Sequence, residues 1–487
     1  MSAAATRQLL IYQLALLAVR VVLASAVELS PDEAYYWAFS RSPAFWYFDH
    51  PPLVAWLIGA TTTVSNSELF VRLPAILCAH GTSLLVYLLL RRLVGGPRLA
   101  LVGCAVLDLS LLGLVGGVIV TPDSPFATTI AALLVGAWWL SKEPTPGRWI
   151  GFGLLLGLCG LAKYSAALLI PPIIAWVLFT PALRAELKHP GPWLAVGCAL
   201  LVVTPTLIGA LEHGLAGFRY QGLRALRSGG HPIESVGAYL GGQLALLGPP
   251  LAYALARLIW RRSADRSPLE ATAPSLRASA SIRRLCRWIA GFVWSYLLLR
   301  SLGGFVEPNW AAPAYLAALP LVIDDLAHAG AGERLRRVIL SYNVVIAVLV
   351  LGIVLAGPLP LPCRYQPTAR VRGWRKLVAA IEQSAGTSPL LARRYQVASL
   401  LLYYGHWATK RGLATAPLGW RASQFDHWPQ FRPRETSYRL VDVVRVPDRE
   451  LVPGFRRLSA WRRAAEPMKG CAVWFESDVR RVGPNIR

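Results

Sequence analysis

Long apolar runs recur along this chain, separated by short polar loops. Eleven stand out, at about 8–27, 69–90, 99–120, 126–141, 149–162, 166–180, 191–210, 240–260, 288–305, 311–323 and 338–357. Crossing a bilayer as helix takes about 20 apolar residues. The pattern therefore predicts a polytopic α-helical membrane protein with about 11 transmembrane helices. Several runs are short, notably around Pro122, Lys163 and Asn309. Broken helices at membrane depth are tolerated where they line a cavity enclosed by protein. The first run has the look of a signal sequence, but no small-residue cleavage site follows it, so a retained first span is expected. From Pro358 onward the pattern changes. Alternation at Leu440–Val446 and Cys471–Phe475 predicts strands, and Arg372–Gln383 predicts an amphipathic helix. The expected division is a membrane domain over 1–357 and a soluble C-terminal α/β or α+β domain over 358–487.

Composition agrees with the membrane reading: 55% of residues are hydrophobic and the mean hydropathy is +0.45. The net charge of +24 follows the membrane rather than forming a nucleic-acid footprint. With the N-terminus cytoplasmic and the spans alternating, the inner loops hold Arg91, Arg92 and Arg98, then Lys142 and Arg148, then Arg184 and Lys188, then Arg334, Arg336 and Arg337. The outer loops hold Asp32, Glu33, Asp49, Glu68, Asp123, Glu234 and Glu307. This is the positive-inside distribution. An odd number of spans then puts the tail outside. That tail carries 23 Lys plus Arg against 9 Asp plus Glu, a net of +14. Such charge suits either a solvated surface or anionic lipid headgroups. Of the seven cysteines, five lie in or beside apolar runs and suit packing. Cys363 and Cys471 fall in the tail, where an oxidising compartment would permit a disulfide.

Chemistry concentrates in the outer loops. The first, LSPDEAYYWAFSRSPAFWYFDHPPLVAW (29–56), sets Asp32, Glu33, Asp49 and His50 among aromatic residues. Ionisable groups beside spans are costly unless solvated or used. Adjacent helical residues diverge by about 100°, so one acid of Asp32–Glu33 can face a cavity while the other holds the loop. Ser30–Pro31–Asp32–Glu33 is also a good helix start in its own right. His50 can be a cation, a donor or a ligand near neutral pH, with Asp49 to orient it; an interfacial aromatic anchor is the plainer account. Asp123, in TPDSP, is either a turn residue or a functional carboxylate on the same side as Asp32. Lys163, in GLAKYSA, needs an anionic partner if buried, and a lipid-linked phosphate would supply one. Arg219, Arg224, Arg227 and His231 form a basic outer loop. Glu307 and Asn309, in EPNW, form another outer turn. Asp108 and His80 lie inside apolar runs and suit interhelical hydrogen bonds.

The motifs PDEAYYWAFS, YFDHPPLVAWLIG, RLPAIL, TPDSP, GLAKYSA, GGHPIESVGAYLGGQLALLGP and EPNWAAPAYLA cover most of 28–325. In that order they resemble the protein O-mannosyltransferase-like glycosyltransferases of the GT-C fold. The similarity is greatest to the bacterial branch of lipid A aminoarabinose transferases and rhizobial galacturonosyltransferases. RYQVASLLLYY and SQFDHWP resemble that branch's periplasmic domain. The resemblance implies an inverting transferase of the bacterial inner membrane, using a polyprenyl-phosphate sugar donor at the outer face. It implies catalytic roles for Asp32, with Glu33 beside it, and for Asp123. Where the aminoarabinose enzymes have an acid, lysine and proline, this chain has Asp49, His50 and Pro51, so the sugar is left open.

In such a transfer a lipid phosphate leaves, and cations stabilise its growing charge. Lys163, His50, Arg219, Arg224 and His231 are the candidates for the donor phosphate, with Asp49 and Glu307 as further substrate-binding candidates. A hydroxyl acceptor would require a base at Asp32. A phosphate acceptor, largely ionised near neutral pH, would not. The clustered carboxylates leave a divalent metal open. The expected partners are a polyprenyl-phosphate sugar, lipid A or another envelope acceptor, and membrane lipids, with no nucleic acid. Protein O-mannosyl transfer is the nearest alternative. A lipid flippase or transporter is the alternative of another class; it would favour paired repeats and discontinuous spans in both halves, and the long chemical first loop and C-terminal soluble domain count against it.

Overall fold

The structure is a computed structural model. It describes residues 3–226, 231–260, 274–328, 332–361, 365–385, 388–405, 413–415, 423–431, 437–444, 455–457, 462–465 and 473–481. The helices are α1 (Ala3–Ala26), α2 (Pro31–Ser40), α3 (Leu53–Thr62), α4 (Glu68–Leu93), α5 (Pro97–Asp108), α6 (Leu111–Gly116), α7 (Asp123–Lys142), α8 (Pro146–Ala162), α9 (Ile170–Leu178), α10 (Pro181–Ala185), α11 (Pro190–Glu212), α12 (Ala216–Leu226), α13 (Pro232–Leu247), α14 (Pro249–Trp260), α15 (Pro274–Ser301), α16 (Ala312–His328), α17 (Gly332–Ala356), α18 (Trp374–Ala385) and α19 (Tyr395–Tyr404). Proline opens many of them. It is favoured there because its missing N–H would have no helical partner and its φ is already helical.

Among the described residues, six helices are long and apolar enough to cross a membrane. A seventh is added if the bent pair Tyr164–Leu178 and Pro181–Lys188 counts as one span. Each of the 11 apolar runs is largely helical, but two are interrupted. The run at 99–120 breaks after α5, and Ser110 Oγ caps α6 by accepting from Gly113 N at 3.1 Å. The run at 240–260 breaks at Gly248, whose φ of +77° is one that other residues adopt at a cost.

Contacts divide the chain into two units. One comprises 1–21, 50–54 and 72–349; the other comprises 22–49, 55–71 and 350–487.

Among its described residues the first unit is built of helices and the loops between them. Its core includes a stripe on α15: Ala278, Ile282, Leu285, Ile289, Val293 and Leu297 are all buried. α8 and α11 meet along a glycine seam. A Cβ on Gly153 would stand 2.2 Å from Ala195 O, and one on Gly157 would stand 2.6 Å from Val202 Cβ. Small residues at such spacing let helix backbones approach closely where apolar lipid gives little drive to associate. A polar knot ties α1, α4 and α5. Asp108 accepts from Arg20 Nη2 at 2.9 Å, Tyr12 OH at 2.8 Å and Ser83 Oγ at 2.6 Å. Arg20 is fully buried and Asp108 nearly so. His80 pairs with Gln13. The interhelical bonding expected of Asp108 and His80 is thus present. Cys78, Cys104, Cys159, Cys198 and Cys286 are free thiols; Cys363 and Cys471 lie outside the described residues.

The second unit holds a mixed sheet in the order β2-β1-β3-β6-β4, with β5 also on β6. The strands are β1 (Leu390–Ala392), β2 (Leu413–Thr415), β3 (Ser437–Val444), β4 (Phe455–Arg457), β5 (Arg462–Ala465) and β6 (Val473–Arg481). β1 runs parallel to β2 and β3, and β3 pairs antiparallel with β6 from Ser437↔Arg480 to Val444↔Val473. The two strands expected from alternation are β3 and β6, and the expected amphipathic helix is α18. The first-loop segment packs within this unit. Glu28 N donates to Val371 O at 2.9 Å, Glu28 Oε2 accepts from Trp374 N at 2.5 Å, and Leu29 N donates to Tyr404 OH at 2.7 Å.

Candidate active site

In the second unit the site is organised around α2. Ser30 and Glu33 form a capping box: Ser30 Oγ accepts from Glu33 N at 3.3 Å, and Glu33 Oε2 accepts from Ser30 N at 2.8 Å. Two helix-end donors are satisfied reciprocally this way. Glu33 is thereby fully buried, while Asp32, one residue earlier, is half-buried and accepts from Tyr395 OH at 3.3 Å. Of the two adjacent acids, Glu33 holds the loop and Asp32 keeps the more open face.

The far end of the loop is tied to the SQFDHWP segment. Tyr35 OH donates to Asp49 Oδ2 at 2.5 Å and accepts from Gln424 N at 2.6 Å. Gln424 Oε1 accepts from Phe48 N at 2.6 Å. Asp49 is buried, and the Tyr35 ring lies 4.5 Å from that of Tyr395 and 5.7 Å from that of Phe425. Asp426, which accepts from Ser423 N at 2.7 Å, has its pKa raised, chiefly by burial and further by the Asp49 charge, against the Ser423 hydrogen bonds that lower it.

The first unit holds the second constellation. Asp123 opens α7, where the helix end favours a carboxylate. Lys163 Nζ donates to Asp123 Oδ1 at 2.5 Å, and Asn309 Nδ2 donates to Oδ2 at 3.1 Å. The Asp123 side chain remains 25% exposed, against 10% for Lys163. Lys163 is the residue at which α8 stops: its backbone turns extended, and a 3-10 turn, Tyr164–Leu169, follows. The buried lysine thus has its anionic partner inside the protein.

The other expected site residues are placed as follows. His50 and Glu307 are half-buried. Arg219, on α12, and His231, the residue before α13, are exposed. Arg224 also lies on α12, and Arg227 lies outside the described residues. Among the described residues no three His, Cys, Asp or Glu side chains converge as a metal site. Tyr35, Tyr395 and Gln424 were missed as site residues. They occur inside motifs noted in the sequence, but no local spacing pairs residue 35 with residue 424.

Residues 49–208 match the dolichyl-phosphate-mannose-protein mannosyltransferase family. The chain is 24% identical to the lipid A galacturonosyltransferase RgtD of Rhizobium johnstonii over 418 residues, 84% of each chain. It is 33% identical to an undecaprenyl phosphate-alpha-4-amino-4-deoxy-L-arabinose arabinosyl transferase of Pseudomonas aeruginosa over 196 residues, which span 36% of this chain and 35% of that one. The crystal structure of ArnT from Cupriavidus metallidurans bound to undecaprenyl phosphate superposes with a TM-score of 0.68 at 15% identity, covering 98% of both chains. The two share a fold. The resemblance read from the sequence motifs is borne out, for the family and for both named relatives.

Proposed function

We propose that this protein is an inverting glycosyltransferase that moves a sugar from a polyprenyl-phosphate donor to lipid A or another envelope glycolipid or glycan. The observation that carries the reading is the Asp123 carboxylate. It is held by Lys163 and Asn309 yet stays open on one side, in a chain alignable over 84% of its length with a lipid A galacturonosyltransferase. An ion pair beside an open carboxylate is suited to an oxocarbenium-like transition state with a departing phosphate.

In the reaction the bond between the anomeric carbon and the lipid phosphate breaks, and the electron pair leaves with the phosphate. The acceptor oxygen attacks from the opposite face, which inverts the anomeric centre. A hydroxyl acceptor loses its proton to Asp32, while a phosphate acceptor needs no base and is oriented by it. Glu33 keeps Asp32 at the helix start, and Asp123 faces the developing positive charge. Lys163, His50, Arg219, Arg224 and His231 serve the donor phosphate; Glu307 is a further substrate-binding residue, and Asp49, buried against Tyr35, braces the loop that carries His50. We further assign the chain to the bacterial inner membrane, with 11 membrane segments in 1–357, a cytoplasmic N-terminus and residues 358–487 in the periplasm. The charge distribution between loops supports that orientation.

The test is mass spectrometry of lipid A and envelope glycans in a deletion strain restored with wild type, Asp32→Asn or Asp123→Asn. A sugar-sized mass regained only with wild type supports the reading. A glycoprotein lost in place of lipid A moves the acceptor to protein. No change in any glycoconjugate overturns the enzyme reading in favour of transport.

A further inference from the structure

The asparagine that holds Asp123 is itself held from a distance. Asn309 sits in a 3-10 turn, Pro308–Ala311, whose N-cap residue Glu307 makes no side-chain capping bond. The support comes from α13. That helix buries Ser235, Tyr239, Gln243 and Leu247, spaced four apart and so on one face. Next to this stripe Gly242 lies against Pro308: a Cβ on Gly242 would stand 2.4 Å from Pro308 Cγ and 2.9 Å from its Cβ. Gln243, 3% exposed, donates from Nε2 to the Pro308 carbonyl at 3.3 Å. Its Oε1 accepts from Tyr315 OH, and that hydroxyl accepts from Trp294 Nε1 at 3.2 Å.

The order of donors is dictated by chemistry. An indole N–H only donates and a carbonyl only accepts. The chain therefore runs from Trp294 to Tyr315 to Gln243 to Pro308, and the Gln243 amide has one satisfactory orientation. Proline has no N–H, so its carbonyl is the backbone group by which this residue can be gripped. The next residue in the turn is Asn309, whose amide reaches Asp123 at 3.1 Å.

We infer that Gln243 is a positioning residue for the Asp123 carboxylate, acting through Pro308 and Asn309, with Gly242 leaving the space the turn occupies. This rests on the reading of Asp123 as part of the catalytic centre. Gln243→Glu keeps the size of the side chain but sets a second acceptor against the Pro308 carbonyl. Gly242→Ala disturbs the same turn by pushing Pro308 instead. The two chemically different changes have one expected outcome, a displaced Asn309.

The experiment measures lipid A modification by full-length variants in membranes of the deletion strain, which supply donor and acceptor, and binding of undecaprenyl phosphate by the purified protein. Size exclusion and melting temperature exclude misfolding, and Tyr315→Phe serves as a milder third variant. Gln243→Glu and Gly242→Ala should lower the rate by about 10- to 100-fold, as small misplacements of reacting groups do. Undecaprenyl phosphate affinity should stay within about two-fold. Adding Gln243→Glu to Asn309→Ala should cost little beyond Asn309→Ala alone, because groups acting as one unit are non-additive. Multiplying effects in the double variant, or wild-type rates in folded Gln243→Glu and Gly242→Ala, overturn the inference. An active Asp123→Asn protein instead overturns the reading beneath it; an inactive one beside a normal Gln243→Glu removes the positioning role alone.

Discussion

Lys163 Nζ and Asp123 Oδ1 stand 2.5 Å apart, joining the point where α8 stops to the point where α7 starts. The pair is a cation and an anion brought together at two helix ends, and neither residue has to be drawn from a regular helical face. Lys163→Met removes the charge and keeps much of the length. Loss of one preorganised charged donor from a reacting site costs on the order of 100-fold or more in turnover. A Lys163→Met protein transferring sugar within two-fold of wild type would falsify the involvement of this pair in chemistry.

The capping box separates the two acids of the first loop. Glutamine serves at the third helical position of such a box as well as glutamate does. Glu33→Gln should therefore keep melting temperature and activity near wild type. Asp32→Asn should keep the melting temperature and lose the sugar product. The reverse pattern would transfer the catalytic role to Glu33.

The Arg20–Asp108 pair is buried on both sides. Asp108→Ala strands a guanidinium away from water, and breaking such a pair costs about 3–5 kcal/mol. The double variant Arg20→Met/Asp108→Leu removes both charges and should recover much of that loss. Thermal melting of the detergent-solubilised variants checks it. A double variant no more stable than Asp108→Ala would show that the remaining knot of Tyr12 and Ser83 carries the stability.

Asp426 provides a pH test. Its folded-state pKa is raised, mainly by burial, so the folded protein holds the proton more tightly than the unfolded chain does. The associated stability is present at low pH and is lost as pH rises through the raised value. The charged form of the carboxylate is disfavoured first by burial and then by the Asp49 charge. Asp426→Asn keeps an acceptor for Ser423 N and should raise the melting temperature at pH 7 relative to wild type. At pH 4 the gain should shrink. An equal gain at both pH values would mean that the Asp426 charge is not the cause.

Much of the architecture was legible because apolar length and terminal proline are local signals. α1, α4, α7, α11 and α17 fall close to the expected runs. The interruptions were harder to see. Ser110 and Gly248 sit inside continuous apolar sequence, and what breaks the helix is one cap and one backbone angle. At the site, Asp32, Asp123 and Lys163 were visible as charges out of place in apolar surroundings. The pairing of Lys163 with Asp123 was not visible, because 40 residues separate them and a lipid phosphate would have satisfied the same lysine. Asn309 was legible only as part of an outer turn, because a neutral amide sends no signal until its partner is known. Tyr35 and Gln424 are 389 positions apart, beyond any periodicity.

The α8–α11 seam reaches further than packing. Lys163 is the residue on which α8 ends, so wherever that helix is lodged, the lysine is lodged too. The lodging is determined lower down, where Gly153 and Gly157 present bare backbone to Ala195 and Val202. A single added methyl there would tilt a rod whose tip carries the ammonium group. The address of one of the site's charges is therefore written in atoms that two distant residues do not have.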